Sequence, residues 1–467
     1  MRKNTGQLSL QVLITGFVGI IVLSGFVVWM DAYVNSVLRA DKKSLAFAIA
    51  EAGIEYSRWH LAHDPEDFQD GTGQDGPYIH DYEDKNGVKI GEFELDITPP
   101  ESNTIVTIRS TGRLLSDPGL EKIIEVKMGL PSLGRFSVIG NSDLRFGEGT
   151  QVYGQMHSNG GIRFDGVAYN IITSAKEEYN DPDHSGNKEF GVHTHVDPAD
   201  PLPPNAVPVR NDVFKAGREF PVPAVDFAGF TQDLAEIKAA AEDEGFYQDS
   251  SNKEGYHIVL KIDDTFDLYE VTKLVKAPQG CPASQKNWGT WSIDTESFLG
   301  NYDVPDNGLI FIEDHVWVDG TVDGVRLTIA AAKLPDIPAK RKSIIVNNDL
   351  SYTNTDGSDV VALIAQEDFQ VGLISEDDLE IDAAIIAQNG RAGRSYYKSQ
   401  CGLEYERDTI TLYGMLATNQ RYGFAYTDGT GYQTRIISYD GNLLFNPPPG
   451  FPITAEQYEI ISWKEIK

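Results

Sequence analysis

The sequence predicts an α+β fold: a long N-terminal helix, a small antiparallel sheet, and then a mainly-β domain. Three observations predict it. Asn4 to Met30 carries no charge and runs on, with no Pro before Pro65, into a segment of helical apolar spacing. Alternating runs follow between residues 88 and 128. Beyond Pro131, very short apolar runs closed by Gly recur as far as Gly414. Of 467 residues, 39 Lys+Arg oppose 70 Asp+Glu, and the net charge of -31 excludes a nucleic-acid partner because a phosphate backbone would be repelled. A hydrophobic content of 41% is enough to bury real cores.

The first element is the most explicit. Leu8 to Met30 is long and apolar enough to cross a hydrocarbon core of about 30 Å. Arg2 and Lys3 precede it and Asp31 follows, which places the N-terminus on the cytoplasmic side. Trp29-Met30-Asp31 stands where a cleaved signal would carry a small-x-small site, so the segment reads as a retained anchor, 8–30. Val34, Val37, Leu38, Leu45, Ile49, Ala52 and Tyr56 then recur at three- and four-residue spacing, an amphipathic stripe. Pro65 ends it. The helix predicted over 7–63 is about 85 Å long.

The segments Met1-Arg-Lys-Asn-Thr-Gly6, Gln7-Leu-Ser-Leu-Gln11-Val-Leu-Ile14 and Ala46-Phe-Ala-Ile-Ala-Glu-Ala-Gly-Ile-Glu-Tyr56 resemble the type IV pilin superfamily, in particular the PilX-type minor pilins. The resemblance implies a leader peptide, 1–6, cut after Gly6 by a prepilin peptidase that methylates the new N-terminus, Gln7. It implies a subunit held in the inner membrane by one helix and later built into a cell-surface filament. The implied partners are other pilins and the pilus assembly machinery. It implies no catalysis and no cofactor. One position departs from the pattern: the family usually has Glu fifth in the mature chain, where this sequence has Gln11. In the family that Glu is implied to neutralise a neighbour's α-amine in the apolar filament core, where an unpaired charge costs several kcal/mol. Gln11 supplies no charge, which points to a minor subunit that primes or caps the tip. A pseudopilin of a type II-like secretion system is the alternative within the superfamily.

The remaining elements follow in order. Residues 64–131 read as a small pilin-like β-sheet after a loop at 64–80, with strands at Val88–Ile97, Thr104–Leu114 and Glu121–Met128 separated by Pro99-Pro100 and Asp117-Pro118-Gly119. Residues 132–467 read as a β-rich distal domain for adhesion or interaction. Its strands of three to five residues suit a parallel β-helix, with a β-sandwich as runner-up. An insertion at about 170–300 holds a Pro-rich loop, Pro198–Pro208, and a helix at Phe230–Glu244 with Phe230, Leu234, Ile237 and Ala241 on one face. Pro447-Pro448-Pro449-Gly450 leads to a short amphipathic tail.

Several residues carry candidate chemistry. Cys281 and Cys401 form either one disulfide, worth about 4–5 kcal/mol for a loop of about 120 residues, or two buried thiols. Asp181, Asp183, Ser185, Asn187 and Glu189 alternate oxygen ligands around Gly186 like the start of a calcium loop, but Val192 stands where an EF-hand needs Glu. His193 and His195 put two imidazoles on one strand face, a spacing found in zinc sites, with His157 or Asp197 as conceivable third ligands. Asn354–Gly357 and Glu376–Asp378 resemble acidic motifs of polygalacturonase-type hydrolases, so a membrane-anchored β-helix acting on carbohydrate is the alternative from another class. That family also needs a later Gly-His-Gly, and no His follows His315. Gly390–Arg394 reads as a solvent loop.

Overall fold

The computed structural model describes residues 5–101, 103–184, 186–227, 233–281, 283, 285–454 and 457–466, with the side chains of 5–7 and 233 set aside. The chain forms two compact units. One comprises residues up to Pro100, Ile105–Gly129 and the C-terminal residues from Glu456; the other is Glu101–Thr104 with Leu130–Ala455.

In the first unit a single helix α1, Thr5–His63, runs for 59 residues and ends just before Pro65. It lies on an antiparallel sheet of β1 (Tyr78–Glu83), β2 (Lys89–Thr98), β3 (Ile105–Leu114), β4 (Asp117–Gly129) and the C-terminal strand Glu459–Ile466, in that order. Two of these strands differ from the sequence reading. Tyr78–Glu83 falls partly in the expected loop, although Tyr78 is buried as the strand's one anchor. Glu459–Ile466 is not a tail of the distal domain, because it pairs antiparallel with β4 from Gly129 to Ile123. The unit expected to end at 131 therefore recovers its last strand from the far end of the chain.

The contact between helix and sheet combines small residues with branched apolar ones. Ala46, Ile49, Ala50, Ile54 and Leu61 are buried against Leu95, Val106, Ile108, Ile124, Val126 and Met128. The expected stripe is offset: Ile49 is buried, but Val34, Val37, Leu38 and Leu45 are exposed. The seam rests on two glycines. A Cβ at Gly53 would sit 2.2 Å from Ser110 Oγ, and one at Gly112 would sit 2.2 Å from the Ala46 carbonyl oxygen and 2.4 Å from the Ala50 nitrogen. Only backbone fits there.

The second unit is a parallel β-solenoid. One face stacks Arg218–Glu219, Ile172–Ser174, Met156–Ser158, Val138–Gly140, Leu416–Thr418, Ala384–Ala387, Val360–Ala365, Arg326–Ala331, Leu309–Ile312 and Phe246–Gln248, every neighbour parallel. The chain joins this stack in the middle, at Val138, and winds to one end by Glu219. It resumes at the opposite end with Phe246 and winds back until Leu416 pairs with Val138. This route explains why the strand texture recurs on both sides of the expected insertion, which itself contributes Ile172–Ser174, Arg218–Glu219 and Phe246–Gln248 to the stack.

Helix α2, Asp233–Asp243, buries Leu234, Ile237 and Ala241; Phe230, expected on the same face, lies outside the described residues. These three join Leu309, Phe311, Val360, Ile364 and Ile386 in a core outside the stack, while Ile310, Leu363, Ile385 and Leu416 fill its interior. Strands buried on both faces need no polar alternation, hence runs such as Val360-Val-Ala-Leu-Ile-Ala365. Several strands are longer than the expected three to five residues, among them Asp378–Ala387 and Glu406–Thr418, which turn a corner of the coil unbroken. In Glu406–Thr418 the corner is Gly414, at φ 141, a conformation that favours glycine.

The helix–sheet seam yields a prediction. Gly112→Val should destabilise the first unit by about 1–3 kcal/mol or more, because backbone on both sides cannot give way. Gly119→Ala, with nothing within 4 Å, should change little. Thermal unfolding of the full chain in detergent reads both.

Candidate functional site

The apolar half of α1 is bare. From Leu8 to Leu45 no side chain is buried, and the helix from Leu8 onward contains an 18-residue stretch of mean hydropathy 2.5, long and apolar enough to cross a membrane. Gly6 and Gln7 lie in the helical backbone, whereas Met1–Asn4 of the expected leader lie outside the described residues. Gln11 is exposed, and its carbonyl accepts a bond from Thr15 Oγ1 at 2.8 Å.

In the distal unit Cys281 and Cys401 are joined by a disulfide, with Cα atoms 4.5 Å apart. It packs with Leu373, Tyr397, Trp288 and Tyr405. Beside it, Gly390–Arg394 is not a solvent loop. Ala392–Arg394 is a strand paired with Phe369–Val371, and buried Arg394 donates to the carbonyls of Gly372 at 3.2 Å and Leu373 at 2.9 Å.

The two metal motifs of the sequence meet. Glu189–Phe190 and Val192–His193 are consecutive short strands, and the second pairs parallel with Ile162–Phe164, which sets His193 beside Arg163. The loop before them returns Asp181 and Glu189 to the same place. His193 Nε2 stands 3.6 Å from Asp181 Oδ2, and His195 Nε2 stands 3.6 Å from Glu189 Oε1. His184 Nδ1 is 3.0 Å from that Glu189 oxygen. Asp183 turns away instead, paired with Arg145 at 2.9 Å and with Arg421. Asn187 is exposed and Ser185 lies outside the described residues, so the alternating oxygens do not converge on one point. His157, conceived as a third ligand, bonds Thr173 Oγ1 at 3.0 Å and Asn159 Oδ1 at 3.1 Å.

Burial works to raise the Asp181 carboxyl, but His193, the Asp183 N–H and Arg163 outweigh it and hold the group well below the ordinary carboxylate range. Burial, with Arg163 and His193 nearby, pushes the His195 imidazole below its ordinary value. His195 also lines a cleft of about 800 Å³ whose walls carry Arg145, Arg163, Arg391, Arg421 and Arg435 beside Glu148, Asp165 and Asp183.

The acidic motifs do not form a comparable site. Asp356 Oδ1 accepts from the Ser358 N–H at 3.0 Å and from its hydroxyl at 2.6 Å, closing a turn, and Asp377 pairs with Arg407 at 2.5 Å. Neither motif lines the arginine-rich cleft. Sequence reasoning missed a different group: His257 lies between Asp319 at 3.0 Å, on the adjacent parallel strand, and Glu296 at 2.8 Å, two strands away on the other side. Asn348 Nδ2 also donates to Asp319, at 2.7 Å.

No protein-family model matches the chain, and no curated protein does. Among solved structures, the competence-associated pilin ComZ from Thermus thermophilus matches at 12% identity and TM-score 0.31, with 91% of this chain and 98% of that one covered. At that score the likeness carries no argument about this chain.

The carboxylate clamp sets a pH dependence. Burial alone would lower the His257 pKa, but its bonds to Asp319 and Glu296 prevail and raise it to about 9. The unfolded value is about 6.5, so the clamp's stabilisation is complete below that pH and is lost as pH rises through about 9. His157, His195 and His315 shift the other way, and Asp382 is raised only to about 6, so their windows lie lower. The unfolding midpoint of the distal unit should fall between pH 6.5 and 9 in the native chain, and His257→Gln should flatten that fall.

Proposed function

We propose that this chain is a minor, pilin-like structural subunit, anchored in the inner membrane by α1 and later built into a type IV pilus-like filament. One observation carries the reading: a single 59-residue helix packs its C-terminal part on a small antiparallel sheet and leaves its apolar N-terminal part bare. The bare part fits first a bilayer and then the apolar centre of a bundle of like helices. The sequence around Gly6 supplies the processing step, in which a prepilin peptidase cuts after Gly6 and the new amine of Gln7 is methylated. Gln11 brings no carboxylate to that centre, which suits a terminal position that primes or caps the filament. The distal solenoid is then the part displayed for adhesion or interaction.

N-terminal peptide mass spectrometry on the native protein tests the proposal. A methylated N-terminus at Gln7 is expected, and an intact Met1 or a cut beyond Trp29 would contradict it. The terminal position is tested by labelling isolated filaments with an antibody to the solenoid: label at the tips is expected, and label along the whole shaft would refute a tip role.

A further inference from the structure

The cluster at Asp181–His195 is unusual in what it leaves undone. His193 is fully buried, yet among the described residues neither of its ring nitrogens makes a hydrogen bond. Asp181 Oδ2, also buried, accepts none either. At 3.6 Å their approach is too long for a hydrogen bond, as is that of Arg163 Nη1 to the same oxygen. A buried polar group left unsatisfied is destabilising, and several in one spot call for a physical reason, of which a bound ion is one.

We propose that Asp181, His193 and His195 bind one divalent transition-metal ion of the zinc type. The donor atoms of Asp181, His193 and His195 lie within 4.8 Å of one another, and so do those of His184, Glu189 and His195. His195 belongs to both sets, which makes it the hinge of the site. Zinc–nitrogen bonds of about 2.0–2.1 Å arranged tetrahedrally hold neighbouring ligands about 3.4 Å apart. The His193–Asp181 pair already stands at 3.6 Å, close to that spacing, and His195 offers its donor within 4.8 Å of both. Two imidazoles and one carboxylate favour zinc and its neighbours over calcium, which takes six to eight oxygens.

The surroundings support the donors as an outer layer does in metal sites. Asp181 Oδ1 accepts the Asp183 N–H at 2.9 Å, which leaves Oδ2 free for an ion. The His195 N–H donates to Asp165 Oδ1 at 2.8 Å, which holds that residue's backbone in place. His184, half exposed, covers the Glu189 side. The ion would tie the loop 181–189 to the strand Val192–His193 and so to the solenoid. His195 would be the ligand that also faces the arginine-rich cleft.

The test uses the untagged full chain in detergent, stripped with a chelator and dialysed against zinc alone. About one zinc per chain is expected by elemental analysis, with a higher unfolding temperature as mass action requires. His195→Ala and Asp181→Asn should each weaken binding about 100-fold or more while leaving the circular dichroism unchanged. Both avoid the fully buried His193, whose replacement could fail to fold. Cobalt(II) in place of zinc should give the intense visible bands of a four-coordinate ion, absent in His195→Ala. A zinc content equal to the buffer blank, or binding that both variants retain, would overturn the proposal.

Discussion

The packing of Ala46, Ala50 and Gly53 on β3 divides one helix into two chemical regimes. Toward the C-terminus the helix lies close enough to the sheet that Gly112 has no room for a side chain, and the apolar residues there are satisfied within the unit. Toward the N-terminus more than a dozen large apolar side chains have no cover at all. Each gains about 1.5–3 kcal/mol on burial, so the bare half holds on the order of tens of kcal/mol in reserve for apolar surroundings. The close seam keeps the covered half rigid, so the bare half leaves the unit as a continuous rod.

The distal unit obeys a different constraint. A parallel solenoid must satisfy each strand through the coil above and the coil below, and this chain does so out of sequence order. The pairing of Leu416–Thr418 with Val138–Gly140, and of Arg435–Ser438 with Thr150–Tyr153, joins two windings that were made separately. The strand buried at that junction is apolar on both sides, with Ile139 facing the outer core and Val138 the inner one. The disulfide Cys281–Cys401 adds a covalent link between residues far apart in the chain.

Much of this was legible in the sequence, for reasons that particular residues make plain. The long helix announced itself through a charge-free run and Pro65, and the coils through Gly-closed apolar runs. The phase of the helix is harder to read, because large residues such as Val34 and Leu38 suggest the stripe while the closest approach to the sheet is made at Ala46, Ala50 and Gly53. The strand Glu459–Ile466 was read as a tail because its partner, β4, is more than three hundred residues away, and its Ile-Ile-Ser-Trp pattern names no partner. The metal-type residues were visible only as two patterns, Asp181–Glu189 and His193–His195. Their convergence depends on a loop's return path, which spacing along the chain does not encode. The His257 clamp left no signal, since its partners sit on two other strands.

The central claim is that the two halves of α1 answer to different surroundings. Hydrogen–deuterium exchange on the full chain, compared in lipid nanodiscs and in mild detergent after limited delipidation, tests it most directly. The account predicts that amides from 46 to 61 are protected in both conditions, and that amides from 8 to 30 gain strong protection only in the bilayer. Fast exchange at 8–30 with the bilayer present would contradict it, since that half of the helix would then have no apolar home.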